Sequence, residues 1–234
     1  MERILAVGIE CSYGAKKVLS GVDISVQAGQ CVGIVGANGC GKSTLLNIMT
    51  GIRKPKKGDL YFDGYKVDFW GSTGRKMFIS YTGYVPQESN LIPELSVLDN
   101  LLLWYQDKRE LEYTLNNGFL GAIGINQMLH LKAGKLSGGM KKRVSIGCAL
   151  AGNPPILMLD EPDAALDLPG KEEIRRYLDM YRHCGGTVLV ATHDEGDLDI
   201  CDRVYALRNG KAMEIERTLR GNELLRYILN YMKG

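Results

Sequence analysis

The chain has 234 residues, 45% of them hydrophobic and 24% charged, the profile of a soluble globular protein. Lys and Arg number 29 against 27 Asp and Glu, a formal net charge of +2, so no electrostatic excess points to nucleic acid or to an acidic membrane surface. The longest fully apolar run, Leu101 to Tyr105, is far short of the ~18 residues a membrane helix needs, which excludes a spanning segment.

Met1 to Val7 has too short an apolar stretch for a secretory signal, and a cytosolic location is expected. The six cysteines are scattered, with no Cys-x-x-Cys pair, and read as reduced thiols. Val22, Ile24 and Val26 alternate with polar residues, so the N-terminal part is β-rich. Cys31–Val35 reads as a short buried strand, followed by a glycine-rich turn and a helix from Lys42 to about Thr50 that Gly51 stops. Pro55 to Gly58 reads as a turn and Leu60 to Val67 as further strand around Asp63-Gly64.

Beyond Pro86 the pattern becomes helical. Ser96-x-x-Asp99 resembles a capping box opening an apolar helix through Tyr105. A second helix should start after Ser137-Gly138-Gly139 and run to Ala151, before Gly152-Asn153-Pro154. Ile156–Leu159 is a continuous apolar run suited to a strand buried on both faces of a parallel sheet. Ile174, Tyr177, Leu178 and Tyr181 mark one face of a helix leading to a strand at Thr187–Thr192. Asn209-Gly210 predicts a hairpin between Val204–Leu207 and Lys211–Ile215, and Leu224, Leu225, Ile228, Leu229 and Met232 predict a closing helix. Strands alternating with helices give an α/β core. With no internal repeat or low-complexity linker, residues 1–234 read as one domain carrying a helical insertion at roughly 88–153.

Gly36-Ala37-Asn38-Gly39-Cys40-Gly41-Lys42-Ser43 matches G-x-x-x-x-G-K-[ST] between a predicted strand and a predicted helix. Glycines let backbone N–H groups curve around phosphate oxygens, and the helix N-terminus adds positive potential. Lys42 can then reach the β and γ phosphates, and Ser43 can ligate Mg²⁺. Asp160-Glu161 puts two carboxylates at the carboxyl end of a core strand, where α/β sheets bind ligands. Asp160 would belong to the Mg²⁺ shell, while Glu161 could orient or deprotonate an attacking water. Two acids after a strand can also be a solvated turn, and it is the phosphate-binding loop that favours catalysis. Leu136-Ser137-Gly138-Gly139-Met140 offers a second helix N-terminus to an anion; by itself it would serve equally as a loop and cap.

In this order the motifs resemble the ATP-binding subunit of ATP-binding cassette (ABC) transporters, over nearly the whole chain. The resemblance makes Gly36 to Thr44 the Walker A motif, Ile156 to Glu161 the Walker B motif and Leu136 to Met140 the signature motif. Tyr13 is similar to the aromatic that stacks on adenine, Gln87 to the Q-loop residue, which also meets the metal, and His193 to the switch histidine. Ala165-Leu166-Asp167 stands where the family has its D-loop. The fold implied is a P-loop NTPase core with an N-terminal antiparallel β subdomain and an inserted α-helical subdomain.

The resemblance further implies a head-to-tail homodimer, or a pair with a related cassette, with two ATP molecules between Walker A of one subunit and the signature motif of the other. It implies ATP hydrolysis driving a separate transmembrane permease from the inner face of the cell membrane, with no nucleic-acid partner. A soluble cassette acting in cofactor assembly is the alternative. Met140 replaces the commonest signature Gln, and with Lys141-Lys142-Arg143 it is similar to exporters of drugs and polysaccharides, hence an expected exporter. Asp163-Ala164-Ala165 departs from the small or hydroxyl residues usual before the D-loop, and Asn116 to His130 carries little family pattern.

Overall fold

The computed structural model describes residues 1–164, 166–215, 223, 226 and 227. The predicted closing helix, and Ala165 of the D-loop segment, lie outside the described residues. The chain opens with two long strands, β1 (Glu2–Tyr13) and β2 (Lys16–Gln27), paired antiparallel. β3 (Cys31–Val35) leads through the glycine-rich loop into α1 (Lys42–Met49), and Gly51 at φ +76° follows its C-terminus.

The segment expected as turn and strand is a hairpin. β4 (Lys57–Phe62) starts inside the predicted turn, Asp63 and Gly64 both take positive φ, and β5 (Tyr65–Lys66) returns. α2 (Ser72–Tyr81) and β6 (Thr82–Val85) carry no sequence forecast. α2 buries Gly74 and Phe78 and packs the partly buried Met77 and Tyr81 on the same core, and β6 begins at the helix C-cap without a turn signal.

The predicted helix at Ser96 is α3 (Val97–Leu102), whose N-cap hydroxyl accepts from Asp99 N. It stops short of Tyr105: the Trp104 and Tyr105 N–H groups share the Leu101 carbonyl, and the Tyr105 hydroxyl donates to the Gly147 carbonyl at 3.2 Å. α4 (Lys108–Asn116), α5 (Phe119–Ala122) and two short 3₁₀ turns lead to α6 (Gly138–Ala149). α6 ends at Ala149, two residues before the prediction, with Leu150 as its C-cap ahead of Gly152 at φ +75°. The core then resumes with β7 (Ile156–Asp160), α7 (Leu168–His183), β8 (Thr187–Ala191), α8 (Glu195–Asp199), β9 (Arg203–Arg208) and β10 (Lys211–Ile215).

The strands form a four-stranded antiparallel sheet, β2-β1-β4-β5, and a six-stranded sheet, β10-β9-β3-β8-β7-β6, parallel except for the β9–β10 hairpin. β3, β7 and β8 are buried along their whole length, as their apolar runs predict. Their side chains alternate between two cores. Cys31, Val35, Leu157 and Leu159 face the layer built with α3 to α7, whereas Val32, Ile34, Ile156 and Met158 face α1 and the antiparallel sheet. α1 is therefore held between the two sheets through Leu45, Leu46, Ile48 and Met49, each about 1.5–3 kcal/mol of burial. Its N-terminus stays at the carboxyl edge of β3. All six cysteines are free thiols.

Candidate nucleotide site

Two glycines shape the loop between β3 and α1. At Gly36 a Cβ would lie 2.5 Å from both the Leu207 carbonyl oxygen and Cys40 Sγ, and only hydrogen fits. Gly41, the N-cap of α1, sits at φ +115° and has no side chain to cap the helix. The first N–H groups of α1 therefore remain free to meet an anion. Lys42, 5% exposed, donates from Nζ to the Gly36 carbonyl at 2.9 Å, folding its stem back along the loop.

A cleft of about 550 Å³ lies over this loop, lined by Tyr13, Lys16, Val18, Asn38, Gly39, Gly41 to Thr44, Gln87 and Glu161. Tyr13 closes one end, with its hydroxyl 3.4 Å from Thr44 Oγ1 and one ring face covered by the Arg53 guanidinium at 3.7 Å. Arg53 is fixed in turn by the Ser12 carbonyl and Cys11 Sγ. This backing is invisible in sequence because it spans about 40 residues of chain.

The acidic strand end faces the same cleft. Glu161 has φ +43°, uncommon for a non-glycine residue, and its N–H is bonded to the Ala191 carbonyl of β8. Its carboxylate accepts from Gln87 Nε2 at 3.0 Å and lies 3.7 Å from Lys42 Nζ and 3.6 Å from His193 Nδ1. Asp160 is buried beneath: Oδ2 is 3.5 Å from the Tyr84 hydroxyl, and Oδ1 has no hydrogen-bond partner among the described residues. Burial raises its carboxyl above the usual range, and a hydrogen bond from Ser43 opposes that rise. An orphaned carboxylate oxygen beside a serine hydroxyl suits a hard cation such as Mg²⁺.

The structure thus gathers Tyr13, Asn38, Gly39, Gly41, Lys42, Ser43, Thr44, Gln87, Asp160, Glu161 and His193 around one place. The Cys40 side chain turns away to the far side of the loop, beside Gly36 and Leu207. Ser137, Gly138, Gly139 and Asp167 line a second cleft of about 840 Å³ instead. There Ser137 caps α6 by accepting from Met140 N, and Asp167 caps α7 by accepting from Gly170 N. Lys142, one turn into α6, carries no sequence signal of a structural role. It is buried, and its Nζ donates to the Pro86 and Gln87 carbonyls at 3.2 and 3.1 Å.

Fold and cleft together define a P-loop nucleotide-binding protein. The ABC transporter family model matches residues 19–164. The chain is 35% identical over 213 residues to the nitrate import ATP-binding protein NrtD of Synechococcus elongatus, covering 88% of this chain and 75% of that one. It is 32% identical over 227 residues to the macrolide export ATP-binding/permease protein MacB of Escherichia coli; the match covers 91% of this chain but only 35% of MacB. A solved dimeric bacterial ABC transporter cassette superposes with a TM-score of 0.81 at 32% identity, covering 93% of this chain and 99% of that one. The chain belongs to the ABC transporter family, as an ATP-binding cassette with ATPase activity.

Proposed function

We propose that this cassette works as a dimer whose ATP hydrolysis drives a separate membrane permease from the cytoplasmic face. The observation that supports it best is the separation of the two clefts. The phosphate-binding loop and the Ser137-Gly138-Gly139 turn line separate clefts with no residue in common, which fits a nucleotide held between the loop of one copy and the turn of another. A γ-phosphate joining two helix N-termini links the subunits only while ATP is intact, which converts hydrolysis into motion. The solved relative is described as dimeric, and the name of MacB joins an ATP-binding part to a permease. Among the described residues no helix is long and apolar enough to cross a membrane. Residues 88–153, the helical insertion, are the part we assign to that contact.

In the proposed site the Tyr13 ring stacks on adenine through the face Arg53 leaves open. Lys42 and the backbone N–H groups of Gly39 and of Gly41 to Thr44 hold the phosphates, while the Cys40 N–H is already bonded to the Ala37 carbonyl. Glu161 accepts the proton of the attacking water, Gln87 Nε2 keeps its carboxylate oriented, and His193 contributes at the γ-phosphate end. Ser43, Asp160 and Gln87 would hold Mg²⁺, which when bound neutralises charge on the phosphoryl oxygens. The partner's Ser137-Gly138-Gly139 turn and Asp167 close the other side.

Export is the direction the Met140-Lys141-Lys142-Arg143 run supports. The test is purification of the tagged chain from detergent-solubilised membranes, followed by reconstitution of whatever accompanies it into inside-out vesicles. A polytopic protein in stoichiometric amount and ATP-driven uptake of its cargo are expected. Recovery of soluble proteins alone would refute the permease reading, and ATP-driven release from the vesicles would refute export.

A further inference from the structure

Behind the nucleotide cleft, the loops that follow β7 and β8 are joined by one side chain of α7. Arg175, 8% exposed, donates from Nη2 to Asp163 Oδ2 at 2.7 Å and to Asp194 Oδ1 at 2.6 Å. Its Nε donates to Asp197 Oδ1 at 3.2 Å and its Nη1 to Glu172 Oε1 at 2.6 Å. Asp163 stands two residues beyond Glu161, and Asp194 directly follows His193. A single guanidinium thus grips both loops that reach the proposed reacting groups.

The rest of the neighbourhood is built around that grip. Gly196 leaves room for the guanidinium, since a Cβ there would lie 2.3 Å from its central carbon. Thr192 Oγ1 donates to Asp197 Oδ2 at 2.7 Å and accepts from Asp194 N at 3.0 Å, which hooks the turn carrying His193 onto the same cluster. Lys171 Nζ pairs with the other Asp194 oxygen. Asp163, Asp194 and Asp197 bring carboxylate oxygens within 4.8 Å of one another, and the guanidinium bonds one oxygen of each. Arg175 does not line the nucleotide cleft.

An arginine suits this place for a geometric reason. Its N–H bonds leave a rigid plane in fixed directions, so carboxylates bound to it are fixed relative to each other, whereas an ammonium on a flexible stem fixes neither. Asp163, the residue that departs from the usual run before the D-loop, gives this guanidinium its partner on the Glu161 side.

We propose that Arg175 is a positioning residue for hydrolysis, setting the separation of Glu161 and His193 by holding Asp163 and Asp194 on one guanidinium. The proposal rests on the roles given above to Glu161 and His193. A displacement of reacting groups by about 1 Å costs roughly 10²-fold in rate. Arg175→Met should therefore lower kcat by about 100-fold, while KM for ATP and the affinity for ATP measured in a Glu161→Gln background stay within about twofold. Arg175→Lys should recover only part of the rate, because one ammonium cannot hold both loops in place.

If Arg175→Met loses its cooperative thermal melt, Arg175→Lys and Asp194→Asn carry the same test. Once Lys stands at 175, adding Asp194→Asn should cost little further rate, since the shared grip is already lost. A folded Arg175→Met with kcat within twofold of the parent overturns the proposal. So does a parallel loss of kcat and nucleotide affinity, which would mark a merely structural residue. A Glu161→Gln chain that still turned over ATP would instead overturn the reading beneath it, whatever Arg175→Met does.

Discussion

Gly36 provides a perturbation whose size can be worked from distances. A Cβ at this position stands 2.5 Å from the Leu207 carbonyl oxygen and from Cys40 Sγ, about 0.9 Å inside the 3.4 Å at which ordinary contact begins. Cys40 can rotate away, but Leu207 cannot: β9 is held parallel to β3 on one side and antiparallel to β10 on the other. The loop must therefore lift by about the shortfall, carrying the Gly36 carbonyl that Lys42 Nζ donates to at 2.9 Å. Overpacking of this kind costs about 1–3 kcal/mol, and a shift near 1 Å at the reacting groups costs about 10²-fold in rate. Gly36→Ala should thus fold with a lower melting temperature and lose about 100-fold in kcat/KM, read by steady-state ATPase kinetics beside a nucleotide titration. Adding Cys40→Ala should not restore the rate, because the carbonyl contact remains. A folded Gly36→Ala with kcat/KM within threefold of the parent would refute the reasoning.

Tyr13→Ala should weaken ATP binding about tenfold, the worth of a stacked ring, with kcat at saturation little changed; equal affinities by fluorescent-nucleotide titration would refute the adenine role. Lys142→Met removes two charge-assisted hydrogen bonds to the Pro86 and Gln87 carbonyls and should cost about 2 kcal/mol in chemical denaturation, an unchanged midpoint counting against it. Burial first, and then the neighbouring Asp197, push the Asp163 carboxyl up to about 7, with Asp194 also raising it and Arg175 opposing. The fold therefore binds this proton more tightly than the unfolded chain does, and the stability it brings is present below about pH 4 and lost as pH rises to about 7. Asp163→Asn should flatten the fall of melting temperature over that range; parallel curves for variant and parent would refute the assignment.

What sequence could show depended on where each signal is written. The strand read at Ile156–Leu159, which runs one residue further to Asp160, the helix carrying Ile174 to Tyr181 and the Asn209-Gly210 hairpin follow from local periodicity and turn chemistry. α2 escaped because its apolar stripe is confined to Met77, Phe78 and Tyr81 in one short helix that carries Gly74, a poor helix former, and β6 because no turn separates it from α2. In the site, the phosphate-binding loop is a contiguous run and was legible. Glu161, Gln87 and His193 could be suspected singly, but their meeting on one carboxylate depends on β6, β7 and β8 being neighbours in the sheet. Arg175, Lys142 and Arg53 were out of reach for the same reason. Each is an ordinary surface residue by type, and only tertiary contacts beyond its own turn of chain reveal its partners.

The most direct test of a cassette that closes over ATP and opens on hydrolysis is the mass of the Glu161→Gln chain in solution with Mg²⁺ and ATP, measured by light scattering. The account predicts a dimer with ATP, a monomer with ADP, and loss of the dimer when Gly139, whose Cβ direction is open, is replaced by Glu. A monomer under all three conditions would contradict it.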